Sequence, residues 1–291
     1  MSGLSKQIIE VLRKQPGLKA REIATKLKVD KKSANRSLHG ELKSICVHGE
    51  DYRWYLKRNK KLYFLDFETN KSNEFYLMGY SDGSDTCQVV LNPSLLGLAK
   101  AKGLQINDPP TAIHDFLEKI IKSNDGVLVA YTLAEKRTLM FVDKHYKHFS
   151  LKKFRNIPYL NLAKAAKKWI RLYKKDEFNN LPPYEKGDNI YMARQKKNSL
   201  ASIMRLTGFP PTPQYGPGET TKRFNSVIKG LKANKQNFDD LTTEQKEDAK
   251  NVLNHNEYDV EAMVHLIKII NEDDPEIISN VRKQLQSGDD S

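Results

Sequence analysis

The sequence predicts an α/β protein in two parts, a small helical unit with a β-hairpin followed by a larger unit built on a mixed sheet. Three observations lead there. The run Leu62-Tyr63-Phe64-Leu65 is apolar and β-prone, and it passes directly into two acids, Asp66 and Glu68. This run and the segments after it alternate in the order β-β-β-α-β-α-β. Ahead of it, about sixty residues carry three short amphipathic helical patterns and a hairpin signal.

Helical spacing of Leu4, Ile8, Ile9, Val11 and Leu12 predicts a first helix over 4–15, closed by Pro16-Gly17. A second, over 20–27, buries Ile23, Ala24 and Leu27. Asp30 is an N-cap for a third running to about Leu42. Strand pieces over 44–47 and 52–56 flank the turn His48-Gly49-Glu50-Asp51. Three helices and a hairpin make a winged helix-turn-helix plan, spanning residues 1–60. Its third helix is rich in hydrogen-bond donors: Lys31, Lys32, Ser33, Asn35, Arg36 and His39. Such a helix suits phosphate and groove contacts.

Charge agrees with a polyanionic partner. The net charge is +13 over 291 residues and the isoelectric point is near 9.4. Residues 1–60 hold 15 Lys and Arg against 6 Asp and Glu, whereas the rest hold 34 against 30. The small unit therefore carries most of the attraction for nucleic acid. Mean hydropathy is −0.66, no apolar run has the length of a membrane span, and the N-terminus lacks a signal-peptide core. A soluble cytoplasmic protein with no membrane partner is expected. Cys46 and Cys87 stand in no metal-ligand spacing, which argues against a disulfide framework or a zinc site.

The larger unit, over 61–291, begins after the basic junction Arg58-Asn59-Lys60-Lys61. Strands are expected at 62–65 and beyond, 75–80 and 86–91, the three forming an antiparallel meander. A helix over 112–122, a buried strand over 127–130, a helix over 133–145 and a strand over 157–160 follow. Basic residues crowd 144–175, interleaved with aromatic ones. They could line a nucleic-acid path or form the solvated face of ordinary helices. Residues 177–197 read as a mobile loop and 199–206 as a short helix. A long helix is expected over 243–271 and a shorter one over 276–285.

Asp66 and Glu68, two apart on a strand, share a face, and two like charges placed there call for a cation. Oxygen ligands suit Mg²⁺ or Mn²⁺. Glu135, in the first turn after the strand 127–130, can face them if that strand neighbours the first. His255 and Asp259 lie four apart on the long helix, hence on one face.

Asp66-Phe67-Glu68, Tyr131…Glu135 and Asn256…Asp259-Val260-Glu261-Ala262 together resemble the DEDD superfamily of 3′–5′ exonucleases, on a ribonuclease H-like mixed sheet with flanking helices. Lys197-Asn198-Ser199-Leu200 and Tyr215-Gly216-Pro217-Gly218 also match segments of one group of ribonuclease H-like nucleases, so the likeness covers about residues 61–270. It implies phosphodiester hydrolysis of DNA, or of RNA, at a two-metal centre of Mg²⁺ or Mn²⁺. Asp66 would bridge the ions, Glu68, Glu135 and Asp259 would complete the metal set, and His255 would serve as general base. The second acid is Glu where many relatives have Asp, and His255 precedes Asp259 by four residues where the usual spacing is five. The run from Pro16 to Ala24, with Lys31 and Asn35, resembles winged helices that include the Z-nucleic-acid-binding domains. That likeness implies nucleic-acid contacts for Lys31, Asn35 and Trp54; His39 replaces a Tyr. The alternatives are a nucleic-acid-binding regulator with a degenerate catalytic domain and a structure-specific endonuclease.

Overall fold

A computed structural model describes residues 1–43, 45–49, 51–56, 61–70, 72–123, 126–154, 156–181, 199–210, 219–278 and 281. The chain divides into two compact units, Met1–Asn59 and Lys60–Ser291.

The first unit runs α1 (Gly3–Lys14), β1 (Leu18–Lys19), α2 (Ala20–Leu27), α3 (Lys31–His39), β2 (Cys46–His48) and β3 (Arg53–Leu56). Ser2 caps α1 and Asp30 caps α3, each side-chain oxygen accepting from a backbone N–H three residues on. The helices bury Ile8, Leu12, Ile23 and Leu38 around Trp54. Two features differ from expectation. Leu18–Lys19 forms a third strand, antiparallel to β3, so the sheet order is β1-β3-β2. Helix α3 stops at His39 rather than near Leu42, because the chain turns at Gly40, where a Cβ would lie 2.6 Å from the Arg36 carbonyl oxygen.

The second unit contains a six-stranded mixed sheet: β4 (Leu62–Thr69), β5 (Phe75–Ser81), β6 (Thr86–Val90), β7 (Gln105–Ile106), β8 (Val127–Ala130) and β9 (Tyr159–Asn161). Their order is β7-β6-β5-β4-β8-β9. The β4-β5-β6 meander is antiparallel, while β8 joins β4, β9 joins β8 and β7 joins β6 in parallel. The helices are α4 (Leu96–Lys102), α5 (Pro109–Lys122), α6 (Ala134–His145), α7 (Leu162–Trp169), α8 (Lys175–Asn179), α9 (Leu200–Met204), α10 (Glu219–Ala233) and α11 (Thr243–Asp273). A π-helical turn, Ile170–Lys174, joins α7 to α8.

Strand alternation sorts the core into two layers. Tyr63 and Leu65 face α5, meeting Ile113, Phe116 and Leu117. Phe64 faces the other way, onto α11 and α7, where it meets Val260, Met263, Leu266 and Trp169. Helix α10 covers β5 through Phe224, which stacks on Tyr76 at 4.6 Å between ring centroids. Helices α4, α7, α8 and α10 and strand β7 add to the elements read from sequence, and α8 runs through Asn179, into the stretch expected as a loop from Glu177. The expected features at 58–60, 182–198, 211–218 and 282–291 lie outside the described residues. No helix among the described residues is long and apolar enough to cross a membrane.

Candidate active site

Strand β4 sits at the centre of the sheet, and its pleat points Asp66 and Glu68 to the side covered by α11. Parallel pairing of β8 with β4 brings Phe64 opposite Val129. The chain leaving β8 thus arrives beside the acids, and Glu135 stands in the first turn of α6, buried to 9 % exposure. Thr132 Oγ1 donates to Glu135 Oε2 at 3.3 Å. Tyr159 donates its hydroxyl proton to the Thr132 carbonyl oxygen, which ties that turn to β9.

Helix α11 supplies the rest. His255 Nε2 lies 3.7 Å from Asp259 Oδ2 and 4.0 Å from Glu68 Oε1. Ligand atoms of Glu68, His255 and Asp259 all fall within 4.8 Å of one another. The Glu68 and Asp259 side chains remain 13 % and 23 % exposed, so the cluster opens to solvent and a small ion can reach it.

A third α11 residue organises the site. Asn256 is fully buried and donates from Nδ2 to Asp66 Oδ2 at 2.8 Å. Its Oδ1 accepts from Gln88 Nε2 on β6 at 3.1 Å, and the same Nε2 donates to the Leu253 carbonyl oxygen at 2.8 Å. With both ends of the amide engaged, its orientation is set and Asp66 is held by a neutral donor. Gly79 is the β5 partner of Asp66, and a Cβ there would lie 2.3 Å from Asn256 Oδ1. Gly79→Ala is therefore expected to displace Asn256, cost about 1–3 kcal/mol and loosen Asp66. Urea unfolding of the variant against wild type measures this; equal midpoints would contradict it.

Burial and mutual repulsion dominate the electrostatics of the four acids. Burial, followed by repulsion from Asp259, raises the Asp66 carboxyl to about 8, although the Asn256 bond acts in the other direction. Burial and then Asp66, Asp259 and Glu135 hold Glu68 well above the ordinary range. Glu135 rises to about 7, from burial and then Asp66. Asp259 also rises to about 7, from burial and then Glu135. His255 moves down to about 4, from burial and then the Arg223 cation, so at neutral pH it is an uncharged imidazole. Four acids and a neutral ring, accessible but largely desolvated, have the donor chemistry of a hard divalent-cation site.

All five predicted catalytic residues, Asp66, Glu68, Glu135, His255 and Asp259, thus meet at one place. Asn256 had been noted only as part of the final helix pattern, and Gln88 and Gly79 were missed. A polar residue and a glycine inside strands were the available signals.

In the first unit, Lys31, Lys32, Arg36 and His39 are exposed on α3, and Asn35 is half-buried. Trp54 is only 5 % exposed and belongs to the core. Its ring meets His39 at 4.9 Å and His48 at 5.1 Å, both edge to face. Tyr52, at the hairpin turn, is 76 % exposed and adopts a left-handed backbone with φ of 57°. No protein-family model matches the chain, and no curated protein matches its sequence.

Proposed function

We propose that the second unit is a metal-dependent 3′–5′ exonuclease of the ribonuclease H-like, DEDD type, and that the first is a winged helix-turn-helix that holds nucleic acid for it. The observation carrying this reading is the convergence of Asp66, Glu68, Glu135 and Asp259 from three separate elements. The strand order β6-β5-β4-β8-β9, with β5 reversed against β4 and β8, supports the ribonuclease H-like assignment.

The residues divide the work by position. Asp66, held by Asn256, would be one of the carboxylates that hold the cations. Glu68 and Asp259, the more accessible acids, would supply further ligands together with Glu135. Mg²⁺ or Mn²⁺ ions bound there would activate a water and stabilise the departing 3′ oxygen during in-line displacement. His255, kept neutral beside Glu68 and Asp259, has a basic nitrogen that can orient the attacking water or take its proton.

Incubation with 5′-labelled single-stranded and duplex DNA and RNA, in Mg²⁺, Mn²⁺ or EDTA, tests the activity. A metal-dependent ladder shortening from the 3′ end is expected. Cleavage of a circular single strand would indicate an endonuclease instead. Tight, salt-sensitive binding without cleavage would favour the regulator.

For the first unit, Lys31→Ala with Arg36→Ala is expected to weaken duplex binding across unrelated sequences. The log–log salt dependence should become shallower by about 2. Fluorescence anisotropy over a salt series measures this, and an unchanged slope would remove α3 from the contact surface.

A further inference from the structure

We infer that helix α7 and the π turn after it form the path along which a single-stranded nucleic acid reaches the acid cluster. The inference rests on the nuclease reading only for what happens at the end of that path.

Helix α7 is strongly two-sided. Leu162, Ala165, Ala166 and Trp169 are buried, and Ile170 continues the apolar stripe into the π turn. The opposite face carries Lys164, Lys167, Lys168 and Arg171, spaced three to four residues apart and each half-buried or exposed. Residues 162–175 contain six Lys or Arg and no Asp or Glu. A merely solvated helix face usually mixes the two signs. Among the described residues no acid pairs with these four; the one ion pair on the segment joins Lys174 to Glu177 at 2.8 Å.

The first turn of the helix is anchored to the segment that follows β8. Asn161, the last residue of β9, caps α7 by accepting from the Lys164 N–H at 3.2 Å. The Ala163 N–H donates to the Tyr131 carbonyl oxygen at 2.8 Å. Tyr131 directly follows β8, whose last residue is Ala130. The first turn of α7 therefore adjoins the segment that delivers Glu135.

At its other end the stripe is pinned and turns aromatic. Trp169 Nε1 donates to Asp273 Oδ2 at 2.7 Å, and the Tyr173 hydroxyl donates to Asp274 Oδ2 at 3.3 Å, both at the end of α11. The π turn brings out Leu172 and Tyr173, which are 53 % and 45 % exposed. Single-strand sites combine a run of cations with an exposed ring on which a base can stack. From residue 164 to 174 the helical rise amounts to about 15 Å, room for two or three successive phosphates of an extended strand. A lone phosphate would need no such line of charge.

The test uses the full chain with Lys164, Lys167, Lys168 and Arg171 all changed to Gln, exposed or half-exposed positions whose replacement leaves the fold intact as read by thermal melting. Binding of labelled dT20, U20 and a 20-base-pair duplex is followed by anisotropy in EDTA across a KCl series. Single-strand affinity is expected to fall at least tenfold, and the salt slope to become shallower by about 2–3, with the duplex much less affected. Tyr173→Ala should weaken single-strand binding with no change in slope. Unchanged single-strand slope and affinity in the fourfold variant would overturn the proposal. Equal losses for strand and duplex would overturn its single-strand character. Comparing dT20 with U20 separates DNA from RNA. Because the readout needs no hydrolysis, a wild type that binds through this stripe but never cleaves in Mn²⁺ would defeat the nuclease reading and leave the path standing.

Discussion

Asp66→Asn is expected to reduce metal-dependent hydrolysis by at least a thousandfold and, in the same protein, to raise the melting temperature measured in EDTA. The two effects share one cause. Asp66 lies near Glu68 and Asp259, its carboxyl held at about 8 by burial and by Asp259. Without a cation its ionisation is opposed, so near neutral pH the folded protein keeps a proton that the unfolded chain releases, at a cost in stability. The Asn side chain has nearly the same shape and can still accept from Asn256 through its oxygen. Charge disappears while packing survives, and each kcal/mol relieved adds about 2–4 °C for a unit of this size. Loss of activity with lowered stability would instead mark Asp66 as a structural residue. Retained activity would remove it from the chemistry.

In EDTA, stability should decline as pH rises from about 6.5 to 8, and Mn²⁺ should cancel that decline. The folded pKa values of Asp66, Glu135 and Asp259 are raised to about 8, 7 and 7, and that of Glu68 is raised as well. Unfolded carboxyls ionise near 4. Below that pH both states are protonated and the cluster costs nothing. Above it the unfolded chain releases protons that the folded state keeps, so stability falls with pH until the folded groups have ionised. His255 acts in the opposite sense, because its pKa is lowered to about 4 and the unfolded imidazole titrates near 6.5. Between those values it adds stability as pH rises, which leaves the net decline most visible above 6.5. Cations compete with the protons, so Mn²⁺ should stabilise more at pH 8 than at pH 6. At a hundred times its dissociation constant a bound ion contributes about 2.7 kcal/mol. Melting curves at several pH values, with EDTA or Mn²⁺, measure both halves. A metal effect independent of pH would contradict the assignment.

Local chemistry was readable from sequence where it lay within one element. Asp66 and Glu68 were placed by strand alternation, and His255 and Asp259 by the helical repeat. Glu135 required one further step, that its strand neighbour the first, and β8 does pair with β4. Contacts depending on register across the sheet were not readable. The Asn256–Asp66 bond spans 190 residues, and Gln88 reaches Asn256 only because β6 pairs with β5 where it does. The need for Gly79 follows from that same juxtaposition. Helices α7 and α10 were given no bounds; α7 lies in the basic stretch 144–175, where a nucleic-acid path and the solvated face of ordinary helices both stood open. Strand β7, two residues long, is too short to leave a periodic signal.

Isothermal titration of Mn²⁺ into the metal-free protein near pH 7.5, wild type beside Asp66→Asn, tests the central claim most directly. Saturable binding with proton release is expected for the wild type, and its loss or severe weakening for the variant. Absence of saturable binding in the wild type, or equal binding in both proteins, would contradict a metal centre built on Asp66, Glu68, Glu135 and Asp259.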